Sequence, residues 1–166
     1  MLLSASTIAL LTILLGACNV DNFESPTKKP APLIKSVVFW QLGESKPPCL
    51  GVVISPTQIA TSKACSKDVV FEGASIEVKQ HPTEDIALII LDRPSGYVAL
   101  SENAPIAQYV PETGESVWVV LSSPLGILVE TSFDGMYNNE GIGFNDNGEV
   151  LSVYGVDVSL LFDLFP

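Results

Sequence analysis

An all-β chain, a barrel or sandwich of about eleven strands, is what the sequence predicts. Two observations carry this. From residue 34 onward, short apolar runs alternate with Gly, Pro, Asn and Asp, and the runs are rich in Val, Ile, Phe and Trp, which suit a pleated, half-buried surface. After residue 17, no stretch of about 12 residues shows the 3.6-residue period of an amphipathic helix.

The runs fall at 35–42, 49–55, 58–62, 69–71, 75–80 and 86–92, then at 106–110, 116–121, 126–133, 142–145 and 151–156. Asn147-Gly148 is the strongest turn signal between them and predicts a two-residue hairpin loop. The apolar tail 156–166 is expected to dock as a last strand or short helix, or to leave a patch for a partner. Trp40 and Trp118 lie inside apolar runs and are expected in the core.

Ahead of the strands stands a different kind of segment. Residues 2–17 are uncharged and largely apolar, too short for a membrane span of about 20 residues but suited to a secretory signal. The run closes on Leu15-Gly16-Ala17-Cys18, which resembles a bacterial lipobox. That resemblance implies cleavage before Cys18 and acylation of its thiol, although the n-region has no Lys or Arg before Lys28. Acyl chains contribute about 0.8 kcal/mol per buried CH₂, so two or three would hold the protein to a membrane. Asn19, rather than Asp, follows Cys18; by the same resemblance this favours an outer-membrane address or an external face. Residues 18–33, with three prolines, read as the lipidated Cys and a flexible tether.

Charge excludes one class of function. The net charge is −11, all 8 Lys and Arg precede residue 94, and the remainder of the chain is acidic without a base. Nucleic-acid binding needs clustered cations, so no nucleic-acid partner is expected. Nor is a cofactor or metal: there is no phosphate or dinucleotide fingerprint, and Asp134, Asn138, Asn139, Glu140, Asn145, Asp146 and Glu149 do not take the spacing of a calcium loop.

Two cysteines remain beyond Cys18. In an oxidising compartment Cys49 and Cys65 are expected to pair, closing a loop worth about 3 kcal/mol in the chain-entropy model; two buried free thiols are the alternative. The segment they bracket, Cys49-Leu50-Gly51-Val52-Val53-Ile54-Ser55-Pro56-Thr57-Gln58-Ile59-Ala60-Thr61-Ser62-Lys63-Ala64-Cys65, resembles the first-barrel hallmark of trypsin-like serine proteases. In that family a catalytic His stands just before the second Cys; this chain has Ala64. Asp85-Ile86-Ala87-Leu88-Ile89-Ile90-Leu91 resembles the motif whose Asp orients that His. More distantly, Asn138-Asn139-Glu140-Gly141-Ile142-Gly143-Phe144 is similar to the nucleophile motif, with Glu140 in the place of the Ser.

The resemblance implies a trypsin-like double β-barrel, the first barrel over 34–103 and a reduced second barrel over 104–166, with the strands around the specificity pocket shortened or lost. It also implies a degenerate triad. A methyl group at 64 can take no proton, and a carboxylate at 140 opposes an oxyanion. His81, the single histidine, is expected at the surface with no catalytic part, and Asp85 is expected to hold backbone amides or face solvent. The reading reached is a membrane-anchored lipoprotein of trypsin-like fold, catalytically inactive, with a binding or scaffolding role toward a protein or peptide in the cell envelope. Two alternatives stay open: a divergent active peptidase, and a structural β-domain of unrelated ancestry.

Overall fold

The computed structural model describes residues 31–165. The signal-like run and Cys18 lie outside them.

Among the described residues, ten strands form two antiparallel sheets. The first sheet comprises β1 (Val37–Trp40), β2 (Cys49–Ser55), β3 (Gln58–Thr61), β4 (Ile76–Gln80) and β5 (Ala87–Leu91) in the order β1-β2-β3-β5-β4. A short α1 (Lys63–Ser66) follows β3, and α2 (Gly96–Leu100) follows β5. The second sheet comprises β6 (Ser116–Ser122), β7 (Leu125–Ser132), β8 (Gly141–Phe144), β9 (Val150–Val153) and β10 (Val156–Asp157) in the order β10-β9-β8-β6-β7. A 3₁₀ helix over Val158–Asp163 ends the fold, capped by Asp157 through the Ser159 N–H.

Period-two alternation explains how each sheet serves two cores. In β2, Leu50 and Val52 face the second sheet, where they join Trp118, Val120, Ile142 and Phe144 in one buried cluster. Val53 points the other way, into the first barrel, with Val38, Ile59, Ile89 and Leu91. That interior is closed by pieces that are not strands: Val69 and Val98 are buried in it and Phe71 packs against it. The expected strand at 69–71 is thus an irregular plug, and α2, which has no helical period in sequence, is a second one. The run at 106–110 likewise forms only an isolated bridge, Ile106 to Val150.

The hairpin expectation needs correction. Between β8 and β9 the chain uses five residues, 145–149, organised by the Asn145 side chain, which accepts from the N–H groups of Asn147 and Glu149, both at 2.9 Å. The two-residue hairpin instead joins β9 to β10 through Tyr154 and Gly155, with Val153 paired to Val156. Both turn residues have positive φ, 47° and 82°, as a type I′ turn requires. Tyr is an unusual choice there, and the reason is tertiary.

Trp118 is buried as expected, its indole N–H donating to Asp146 at 2.8 Å. Trp40 is only partly buried; it packs on Phe71 and donates to the Cys65 carbonyl at 3.2 Å.

Candidate functional site

Cys49 and Cys65 form a disulfide, with Cα atoms 5.6 Å apart. It ties the start of β2 to α1. Ser62 caps this helical turn, its hydroxyl accepting from the Cys65 N–H at 3.2 Å. Asp85, in the bend before β5, supplies a second cap: its Oδ1 accepts from the Lys63 N–H at 3.0 Å. The carboxylate is thereby fixed one residue from Ala64, which exposes its methyl group.

Tyr154 reaches the same corner from the second sheet. Its Oη accepts the Leu50 N–H at 2.8 Å and lies 3.9 Å from Cys65 Sγ. Burial raises the Tyr154 phenol above its ordinary pKa, with the Leu50 hydrogen bond acting in the opposite direction.

Glu140 stands at the start of β8, exposed. Its backbone is engaged on both sides. The N–H donates to Asn138 Oδ1 at 2.7 Å, and the carbonyl accepts from the Ser122 N–H at 2.9 Å and the Ser122 hydroxyl at 2.8 Å. Gly141 follows because nothing larger fits: a Cβ there would lie 1.9 Å from the Val120 carbonyl oxygen.

Beside Glu140 opens a cavity of about 880 Å³ in the second barrel. One row of the sheet runs through Val119, Gly143 and Ser152 to Asp157, four directly paired positions that share a face and all border the cavity. The segment 133–139 forms another wall, and Glu84, next to Asp85 in the chain, lies at the margin. Ser152 is 1% exposed, and its hydroxyl has no hydrogen-bond partner. Glu84, Asp134, Glu140 and Asp157 give the lining four carboxylates and no base.

This two-sheet architecture matches solved structures. An inactive mutant form of Rv3671c from M. tuberculosis superposes with a TM-score of 0.55 at 16% identity, covering 78% of this chain and 85% of that one. The fold is the trypsin-like double β-barrel. Two further similar structures are kallikrein-related peptidase 10 (TM-score 0.49, 14% identity, 74% of this chain and 83% of that one) and a Glu endopeptidase (0.46, 14%, 78% and 77%). No family model matches the sequence, and comparison with curated proteins gives no match.

Within this double barrel, two of the expected site positions meet: Ala64 adjoins the amide that Asp85 holds. The third, Glu140, borders the cavity, whose lining includes Glu84 but neither Ala64 nor Asp85. His81 differs from expectation. It is 8% exposed, with Nδ1 accepting from the Glu84 N–H at 3.1 Å and Nε2 3.6 Å from an Asp163 oxygen. An imidazole whose Nδ1 accepts a backbone N–H organises the 81–84 bend, which explains a buried rather than a surface place. Among the described residues, no group of three or more His, Cys, Asp or Glu could hold a metal ion.

Sequence reasoning missed Tyr154 and Ser152. Tyr154 carried a signal, since the glycine after it breaks the run 151–156 as a turn residue does. Ser152 carried none: a serine in a strand looks the same whether or not its hydroxyl is partnered.

Proposed function

We propose that this chain is a catalytically inactive protein of trypsin-like fold, held to a bacterial membrane by acylated Cys18, with a binding or scaffolding role in the cell envelope. The observation that carries the proposal is the Asp85 carboxylate bonded to the Lys63 amide beside Ala64. A triad needs an imidazole between carboxylate and nucleophile; the residue next to the amide that Asp85 holds is Ala64, whose methyl group can take no proton. Two further features support it. Position 140 offers a carboxylate in place of a hydroxyl, and its backbone N–H, a group that could stabilise an oxyanion, donates to Asn138. Loss of a whole triad costs on the order of 10⁶ in rate in a protease template.

The anchor rests on the lipobox-like Leu15-Gly16-Ala17-Cys18, and Asn19 favours the outer membrane or an external face. The test has two arms. The full-length protein should neither label with a fluorophosphonate probe nor cleave casein; labelling or turnover that disappears on Asp85→Asn refutes inactivity. Cys18→Ala should abolish incorporation of labelled fatty acid and release the protein from membranes, and unchanged retention contradicts the anchor.

A further inference from the structure

We propose that the open interior of the second barrel takes an extended, basic segment of a partner polypeptide as an added strand along the edge of β7; this rests on the non-catalytic binding role above.

The first observation is the contrast between the barrels. Plugging segments fill the first interior, whereas the second buries only Ala107, Val117, Phe133 and Leu151 in its own cluster and otherwise opens on the 880 Å³ cavity. A volume of that size lies within the range of about 300–1,000 Å³ found for ligand sites.

The second is the edge itself. β7 is eight residues long and lies at the end of its sheet, with Leu125 and Ile127 39% and 47% exposed. Long apolar edge strands are templates for pairing. Phe133 donates its N–H to the Glu115 carbonyl at 2.8 Å. Antiparallel alternation then turns the backbone groups of Thr131 and Val129 toward β6 and those of Ser132 and Leu128 toward the open edge. Ser132 and Thr131 border the cavity on this side, and Val156 and Asp157 of β10 border it on the other. A strand laid on β7 would send alternate side chains over the floor formed by Val119, Gly143 and Ser152.

The third observation selects the chemistry. The buried, unpartnered Ser152 hydroxyl belongs to that floor, and burying a polar group without a partner is costly unless a ligand satisfies it. The four lining carboxylates call for Lys or Arg on the incoming strand. A second copy pairing through its own β7 is a poor occupant, because residues 94–166 hold no base and would meet their like. Residues 19–33 carry Lys28 and Lys29, but Pro26, Pro30 and Pro32 lack the N–H groups a ladder needs.

The experiment uses the full-length acylated protein in detergent micelles. Two blocked peptides serve as probes: Lys-Val-Lys-Val-Lys-Val-Lys and its twin with Glu for Lys. The Lys peptide should bind, less tightly at high salt, and should slow amide hydrogen exchange in β7; the Glu peptide should do neither. Ser132→Pro, which removes one outward donor, and the double variant Asp134→Asn/Asp157→Asn, which leaves the backbone intact, should each weaken binding by at least about tenfold. Equal binding of both peptides, no binding, or binding without protection of β7 overturns the proposal. So does protection of the outward Leu128 and Ser132 amides before peptide is added, which would mean that the edge is covered by the chain's own N-terminal segment or, if dilution removes the protection, by a second copy. Mass spectrometry of the recovered peptide separates the two claims: cleavage refutes the non-catalytic role, whereas an intact, unbound peptide refutes only strand addition.

Discussion

Tyr154 accepts the Leu50 N–H at 2.8 Å, so a hairpin turn of the second sheet is fastened to the first sheet beside the Cys49–Cys65 disulfide. The contact explains a local misfit. A tyrosine at φ 47° is in a region costly for bulky side chains, by about 1–3 kcal/mol. The turn keeps it because Leu50 is fully buried and its amide has to find an acceptor.

Tyr154→Phe should therefore lower stability by about 1–3 kcal/mol, the cost of a buried donor left without a partner. Tyr154→Asn separates turn from anchor. Asn tolerates positive φ better but cannot reach Leu50, so this variant should also be destabilised. Urea unfolding monitored by circular dichroism measures both; an unchanged midpoint for the Phe variant would show that the hydroxyl contributes nothing.

The β8 glycines should respond differently to a methyl group. In Gly141→Ala the added carbon meets the Val120 carbonyl oxygen at 1.9 Å, a backbone atom that cannot turn aside, and the loss should be about 3 kcal/mol or more. In Gly143→Ala the obstacle is Ser152 Oγ at 2.5 Å, a side chain in the floor of the cavity rather than a backbone atom. That cost should be smaller and should largely vanish in the Ser152→Ala background. Ser152→Ala alone should be neutral or stabilising, because it removes a buried hydroxyl without a partner. A double-mutant cycle over Gly143 and Ser152 reads the coupling directly.

The residues that sequence located best are those whose pattern is local. The run 49–55 coincides with β2, and 86–92 brackets β5, because alternation and turn residues mark a strand from within. The pairing of Cys49 with Cys65 is what an oxidising compartment predicts, and the place of Asp85 beside residue 64 is what the resemblance to the protease motifs implies. What stayed illegible depends on partners distant in the chain. Asn147-Gly148 does turn a hairpin, β8 to β9, but through five residues, whereas the two-residue turn at Tyr154-Gly155 is anchored by Leu50, 104 residues away. His81 is buried because backbone amides of its own bend and Asp163 surround it. The cavity is lined by segments from residue 84 to residue 160, and no local pattern records how such distant segments come together.

Removing the disulfide tests the chain-entropy account at this corner. The bridge joins positions 16 apart, and Cys49→Ala/Cys65→Ala should cost about 3 kcal/mol. Because Tyr154 and Trp40 both dock on Cys65, the double variant should also couple to Tyr154→Phe, giving a combined loss different from the sum of the separate ones. Strict additivity in urea unfolding would mean that the disulfide and the tyrosine anchor act independently.

Alkaline pH should weaken the fold through its tyrosines. Tyr137 lines the cavity and packs on Phe133, ring centroids 5.1 Å apart. Burial, reinforced by the negative charge of Asp157 and by Tyr109 and Glu115, pushes its phenol from 10.0 up to about 12. Burial also raises Tyr109 and Tyr154. A raised pKa means that the folded state holds its proton after the unfolded chain has released it. The stabilisation is then complete below pH 10 and is lost as pH climbs from 10 toward 12. Unfolding midpoints measured across that interval should fall, and Tyr137→Phe should flatten the fall. Ultraviolet titration at the phenolate band should show one tyrosine ionising near 12 in the wild type and absent from the variant. A Tyr137 that titrates near 10 would mean that water and counter-ions reach this wall of the cavity freely.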